Sequence, residues 1–290
     1  MAIIELVDIA YAYPPLAPGL DSPMVLRGVN LRAEKGELIG LMGRTGAGKS
    51  TLCMCLNGVV PQSTGGHLTG DITVLGHDPT RIPTSQLARE VALVYQDAES
   101  QLFMPTVEEE VAFGPENLGL PSAEVAERVA WALQVVSAEE LRHRQPSQLS
   151  GGQMQRVAIA ANLAMLPRLL ILDEPFAGLD PAGRRQIAQT VMRIRAERDV
   201  TVLIASADAT LMAQTADRVA VLHQGRIVLD DAPKAVFAQA DVLAEARVGR
   251  PAVAELASNL NQMLGSSYGW VTSDQARHDL EILLTPECPT

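Results

Sequence analysis

Cysteine, excess positive charge and long apolar runs are all scarce in this chain, and each shortage removes a class of protein. Three cysteines, Cys53, Cys55 and Cys288, make no disulfide framework, which predicts a reducing compartment. Cys53 and Cys55 are close enough to suggest a metal pair, but they follow a glycine-rich loop and read better as small buried thiols. A net charge of −11 argues against a large nucleic-acid footprint, because such surfaces are usually basic. The longest apolar stretches, such as residues 157–166, fall far short of the roughly 20 residues that span a bilayer. The opening residues, MAIIELVDIAY, carry an acid early and no basic segment, unlike a secretory signal. Nor is there an internal repeat or a low-complexity segment. The chain is expected to be soluble by itself, with any membrane role arriving through a partner.

What is present fits a compact body. Of 290 residues, 47% are apolar and 20% charged, and a chain of this size can bury about 75% of its extended surface without staples. Residues 3–10 and 25–33 read as strands, joined by a Pro/Gly-rich loop over 14–23. Short continuous apolar runs at 38–42, 91–95, 169–172 and 201–205 suit strands buried on both faces of a parallel sheet. Helix-period segments lie between them, so the expected class is α/β. Residues 58–70 read as a loop, and 98–165 as an inserted helical subdomain without a strand. There Val125, Val129, Leu133 and Val136 share a helix face, and Ser137 with Glu140 suggests a capping box for a short helix ending near Arg144. Residues 219–222 and 226–228, turned at Gln224-Gly225, predict a hairpin. After Pro251 a stripe of Val253, Leu256, Leu260 and Met263 predicts a helix. Thr272 with Gln275 could cap a last helix bearing Leu280 and Leu283. The expected division is a domain over 1–235 and a helical extension over 236–290.

The chemistry begins at Gly43-Arg44-Thr45-Gly46-Ala47-Gly48-Lys49-Ser50-Thr51, between an apolar strand and a helix. A lone glycine run is often only a flexible turn. Here the flanking strand and helix make it a phosphate cradle: glycines turn backbone N–H groups inward, and the helix dipole points at the same spot. Lys49 supplies a charge for the outer phosphates and Ser50 a hydroxyl ligand for Mg²⁺. A second apolar strand ends in Asp173-Glu174. Asp173 would face the Mg²⁺ shell, and Glu174 would orient or deprotonate the attacking water. Leu149-Ser150-Gly151-Gly152-Gln153 then opens another helix, a second anion-binding start. If this segment of one molecule met the cradle of another, nucleotide would be sandwiched between two subunits.

Taken together, GRTGAGKST, LSGGQ and LLILDEP resemble the ATPase subunit of ABC transporters over roughly residues 3–235. The resemblance implies a P-loop NTPase fold, with a RecA-like parallel sheet and N-terminal antiparallel strands. It also implies ATP and Mg²⁺ as ligands, and a head-to-tail dimer in which Ser150, Gly151, Gly152 and Gln153 reach the partner's nucleotide. It makes Gln96 a Mg²⁺ ligand and the link from γ-phosphate to a transmembrane subunit, Asp180 a dimer-communication residue, and Tyr13 the adenine-stacking ring, with Tyr11 the alternative. The stretch DAESQLFMPTVEEEVAFGPENLGLP is similar, more narrowly, to energy-coupling-factor transporters, which take up vitamins or transition-metal ions through a separate substrate-capturing membrane subunit. In that class an acidic groove accepts arginines of the transmembrane subunit. Thr106 and Glu109 make a capping box, which leaves Glu108 or Glu110 for docking.

One departure stands out. ABC ATPases normally present a histidine after the strand at 202–205, and Ala207 occupies that place. A methyl group donates no hydrogen bond, and losing one positioned polar group can cost about 10²–10⁴-fold in rate. The expectation is a slow or mainly structural phosphate-loop site whose LSGGQ completes a competent site on a different subunit, a heterodimer in preference to a homodimer. The protein would sit peripherally on the cytoplasmic face of the membrane. A catalytically weak nucleotide switch or an ABC importer ATPase for another cargo are the competing readings. A chromosome or repair ATPase would need a long coiled-coil insertion and a basic DNA-facing surface, and neither is present.

Overall fold

The computed structural model describes residues 2–15, 17 and 21–284; Cys288 and the side chain of Leu283 lie outside what it describes. The chain runs β1 (Ala2–Ala12), β2 (Met24–Glu34), β3 (Leu38–Met42), α1 (Lys49–Leu56), the single turn α2 (Val59–Gln62), β4 (His67–Val74), α3 (Thr84–Leu87) and β5 (Val91–Val94). The helical segment follows as α4 (Val107–Asn117), α5 (Ser122–Val135) and α6 (Gly151–Leu163). Next come β6 (Leu169–Asp173), α7 (Pro181–Arg198), β7 (Thr201–Ala205), α8 (Ala209–Thr215), β8 (Arg218–His223) and β9 (Arg226–Asp231). Four helices close the chain: α9 (Pro233–Ala238), α10 (Ala240–Ala246), α11 (Ala252–Leu264) and α12 (Ser273–Leu284).

The main sheet has the order β5-β6-β7-β3-β8-β9, parallel except for β9. Strands β3, β5, β6 and β7 are buried at every residue, as their unbroken apolar runs require. Alternation along each strand sorts the side chains between two cores. Leu38, Met42, Leu170, Leu172, Val202 and Ile204 join the helices α4–α8, whereas Ile39, Leu41, Leu169, Ile171 and Leu203 meet α1 and the N-terminal strands. The β8–β9 hairpin turns on Gln224 and Gly225, both at positive φ (47 and 78), the two-residue geometry that matches strand twist.

A second, antiparallel sheet has the order β2-β1-β4. Its third strand covers residues expected to be loop. β4 is an edge strand with few buried positions, and Gly70 passes so close to β1 that an added Cβ would meet the Asp8 carbonyl at 2.4 Å. Sparse burial and a central glycine erase the alternation that marks a strand. The helical segment does lack strands, and Val125, Val129, Leu133 and Val136 are all buried together. The Ser137–Glu140 capping box is not formed: Ser137 adopts φ 52, and only a 3₁₀ turn, Glu139–Leu141, follows. A left-handed residue cannot serve as the extended N-cap that such a box needs.

The expected boundary at 235 runs through a packed layer. Val236, Phe237, Leu243, Ala246 and Val248 pack into the main core, as do Ala254 of α11 and Val271. Beyond them α11 and α12 share a small cluster of Ala257, Trp270 and Ala276, with Tyr268 stacked on Trp270 at 4.3 Å. Thr272 and Gln275 do exchange capping bonds at the start of α12. The α11 stripe is only half used: Val253 and Leu260 face this cluster, whereas Leu256 and Met263 stay exposed.

Candidate functional site

Parallel strands deliver their following loops to one edge of a sheet, and the order β5-β6-β7-β3 puts four motifs side by side. Gln96 follows β5, Asp173 and Glu174 end β6, Ala207 follows β7, and residues 43–50 follow β3. They enclose an open cleft of about 490 Å³, lined by Thr45, Gly46, residues 48–51, Gln96, Glu174 and Ala207. Gly48 caps α1 at φ 108 with no side chain bonded to the helix start, so the first N–H groups face the cleft free of a capping side chain. Gly43 is required for packing, since a Cβ there would meet the Leu222 carbonyl at 2.5 Å.

Lys49 is buried, and its Nζ donates to the Gly43 carbonyl at 2.8 Å while pairing with Glu174 Oε1 at 3.0 Å. Glu174 holds φ 47, and its Oε2 accepts the Ala207 N–H at 3.3 Å. The predicted cation and the predicted base are therefore partners, with position 207 touching the base through its backbone. Beneath them Asp173 is buried. Desolvation pushes its carboxyl above the usual range, opposed by a hydrogen bond from Ser50. Its Oδ1 is buried with no hydrogen-bond partner, and such an orphaned oxygen beside a hydroxyl is costly unless something else satisfies it. A small hard cation would do so, and with the amide of Gln96 the donors are all oxygen, the set that suits Mg²⁺. These residues fit the ion.

Ser206 is buried and committed to a local bond, its Oγ accepting the Asp208 N–H at 3.1 Å. Tyr11 is not available to a base either. It is fully buried, and its hydroxyl donates to the Gly65 carbonyl at 2.6 Å. Tyr13 is half-buried, with its hydroxyl 3.1 Å from Thr51 Oγ1 at the end of the cradle.

Residues 150–153 are not brought to this cleft. Ser150 caps α6, accepting the Gln153 N–H at 3.4 Å, and Gln153 Oε1 accepts the Ser150 N–H at 2.9 Å. Asp180 caps α7, accepting the Gly183 N–H at 2.7 Å. The loop before it bridges the two regions, with Ala177 in the cleft and Leu179 beside Gly152.

The three consecutive acids of α4 divide their work. Glu109 completes the capping box with Thr106, as expected. Glu108 pairs with Arg142 at 2.5 Å and lies 3.4 Å from His143, and the guanidinium holds its carboxyl below the usual range. Glu110 is buried, and its Oε2 accepts the N–H groups of Phe103 and Met104, both at 2.8 Å. In this arrangement Glu110 presents no carboxylate to a docking partner, because the helix turns it inward. Of the docking pair, only Glu108 reaches the surface. Sequence reasoning missed this inward role, along with that of Gln101, whose Oε1 accepts the Tyr95 N–H at 3.0 Å. The position of Glu110 beside Val111, one turn after the cap, was the available signal.

The ABC transporter family profile matches residues 26–177. Together with the site, this shows that the chain belongs to the ABC transporter ATPases. Among curated relatives, the energy-coupling factor transporter ATP-binding protein EcfA of Methanocaldococcus jannaschii is 37% identical over 99% of this chain and 100% of its own. A putative ABC transporter ATP-binding protein of Caldanaerobacter subterraneus is 42% identical over 75% of this chain, which spans only 38% of that protein's length. Of solved structures, cbiO1 from Clostridium perfringens, part of the ABC transporter complex cbiONQ, aligns with a TM-score of 0.74 and 34% identity. That match covers 88% of this chain and 98% of the other. The protein is an ATP-binding subunit of the ABC transporter type, with full-length similarity to the energy-coupling-factor ATPases.

Proposed function

We propose that this subunit binds and hydrolyses ATP to power uptake of a micronutrient, a vitamin or a transition-metal ion, through a transmembrane partner on the cytoplasmic face of the membrane. A separate membrane subunit would capture the cargo. The supporting observation is the convergence of Lys49, Ser50, Glu174 and Gln96 on one cleft, with Asp173 buried against Ser50, while residues 150–153 stay outside it and exposed at Ser150. ATP phosphates would rest on the N–H groups at the start of α1. Lys49 would exchange its bond to Glu174 for one to the outer phosphates, freeing that carboxylate to orient the attacking water. Ser50, Asp173 and Gln96 would hold Mg²⁺, which neutralises charge developing on the phosphates. Tyr13 would stack the adenine, and Glu108 would meet the transmembrane partner.

The nucleotide site is completed in trans by Ser150, Gly151, Gly152 and Gln153 of a second ATPase subunit, with Asp180 at the junction. Ala207 favours a heterodimer: the cleft receives only its backbone N–H and a methyl where the family supplies an imidazole. This subunit's own site is then the slow one. Adding the ring by Ala207→His should raise ATP turnover of the purified protein by about 10²-fold, since one positioned polar group is worth that order. Ordinary transporter rates in the unaltered protein, with no gain from Ala207→His, would defeat the slow-site reading.

A further inference from the structure

From the buried carboxylate of Glu110 we infer a positioning residue for Gln96, rather than a docking group. The inference rests on the proposed role of Gln96 at the nucleotide. Gln96 is exposed, lines the cleft, and makes no hydrogen bond of its own among the described residues. Its placement therefore depends on the loop that carries it, and that loop is pinned at two points. Gln101 closes the near end, accepting the Tyr95 N–H at 3.0 Å and donating to the Leu93 carbonyl at 3.5 Å. Glu110 closes the far end through Phe103 and Met104. No cation partners Glu110 among the described residues, so these two backbone donors are what its charge meets. Charge-assisted bonds from two adjacent backbone donors are strong and geometrically demanding.

The placement of Glu110 ties two bodies together. The same helical turn carries Glu108, bonded to Arg142, and its backbone N–H groups reach the carbonyls of Arg142 and Arg144. Glu110 thus fastens the Gln96 loop to the first turn of α4, and α4 is itself sewn to the segment that leads into Ser150. A displacement of α4 must move the Gln96 loop or break the two bonds that Glu110 accepts. Glu110 acts on Mg²⁺ only through Gln96, as an outer support acts on a metal ligand.

The test compares the full-length protein with Glu110→Ala, Glu110→Gln, Gln96→Ala and the Gln96→Ala/Glu110→Ala double variant. Two quantities are read: the Mg²⁺ concentration for half-maximal ATP turnover, and affinity for a fluorescent ATP analogue without Mg²⁺. Glu110→Ala should raise the Mg²⁺ requirement by about 10–100-fold, the usual cost of losing an outer support. Mg²⁺-free affinity should stay unchanged, and amide exchange at Phe103 and Met104 should quicken. Glu110→Gln keeps an acceptor oxygen, so it should shift the requirement only a few-fold, and it keeps the test running if the alanine variant does not fold. In the Gln96→Ala background, Glu110→Ala should add nothing. An equal loss of Mg²⁺-free and Mg²⁺-dependent affinity, or full additivity in the double variant, would overturn the inference by making Glu110 a purely structural residue. A wild-type protein that binds no nucleotide at all would instead overturn the reading of the cleft on which this one depends.

Discussion

At the start of α1 the cap is Gly48, in a left-handed conformation with no side chain bonded to the helix, and the residue after it is a buried lysine. At the start of α6 the cap is Ser150, exposed, with its hydroxyl and the Gln153 amide already satisfying two of the helix's free groups. Both starts are glycine-rich and both suit an anion. The first has no side-chain cap among the described residues, whereas the second is capped by its own side chains. This difference matches the division of labour proposed for them: one binds nucleotide within its own chain, and the other is a surface offered to a partner's nucleotide. To engage that nucleotide, Ser150 must share or release a bond it already makes.

The comparison breaks most visibly at the first site. Glu174→Gln should lower ATP turnover by about 10²–10⁴-fold, the range for losing a general base. Nucleotide binding followed by fluorescence titration should persist, since Lys49 loses only the partner it must give up. A parallel loss of binding would mean that Glu174 shapes the cleft instead of acting on water.

A smaller effect separates the second site. Ser150→Ala removes a helix cap and should cost about 1 kcal/mol of stability in denaturant unfolding. Nucleotide affinity of the isolated chain should not change. Turnover of the assembled two-subunit complex should fall, because the hydroxyl would be missing at the partner's nucleotide. Equal losses in the isolated and assembled states would remove the argument for a site shared between chains.

The smallest effect tests the acids between the two. Arg142 holds the Glu108 carboxyl below its ordinary value, so the pair adds stability that is fully present above about pH 4.3. That contribution is lost as pH falls through the depressed value. The stability difference between wild type and Glu108→Gln should therefore shrink in acid, not in base. Both side chains are about one-third exposed, which limits the effect to about 1 kcal/mol or less. A difference that stays constant across the acid range would show that the pair contributes nothing through charge.

Much of this architecture could be read from local pattern. The buried runs of β3, β5, β6 and β7, the Gln224-Gly225 hairpin and the Thr106–Glu109 cap all stand where their residues put them, because each depends on neighbours within a few positions. β4 escaped detection because an edge strand needs little burial and so leaves little periodicity. Ser137 misled because a capping pattern presumes an extended cap residue, and the chain turns left-handed there instead.

The candidate chemistry was legible in the chain alone: a glycine-rich loop suited to phosphate at residues 43–50, a carboxylate pair at Asp173 and Glu174, a second helix start suited to an anion at Ser150, and a methyl group at Ala207. Those are properties of residue types at fixed spacing. Which partner each group meets came from long-range packing. Strand order brought Gln96, Glu174 and Ala207 to residues 43–50, and the packing around α4 sent Glu108 to Arg142 and Glu110 inward to the Gln96 loop. Beyond the capping role of Glu109, side-chain type alone does not separate Glu108 from Glu110. A helix turns about 100° per residue, so packing around it assigned each acid a different partner.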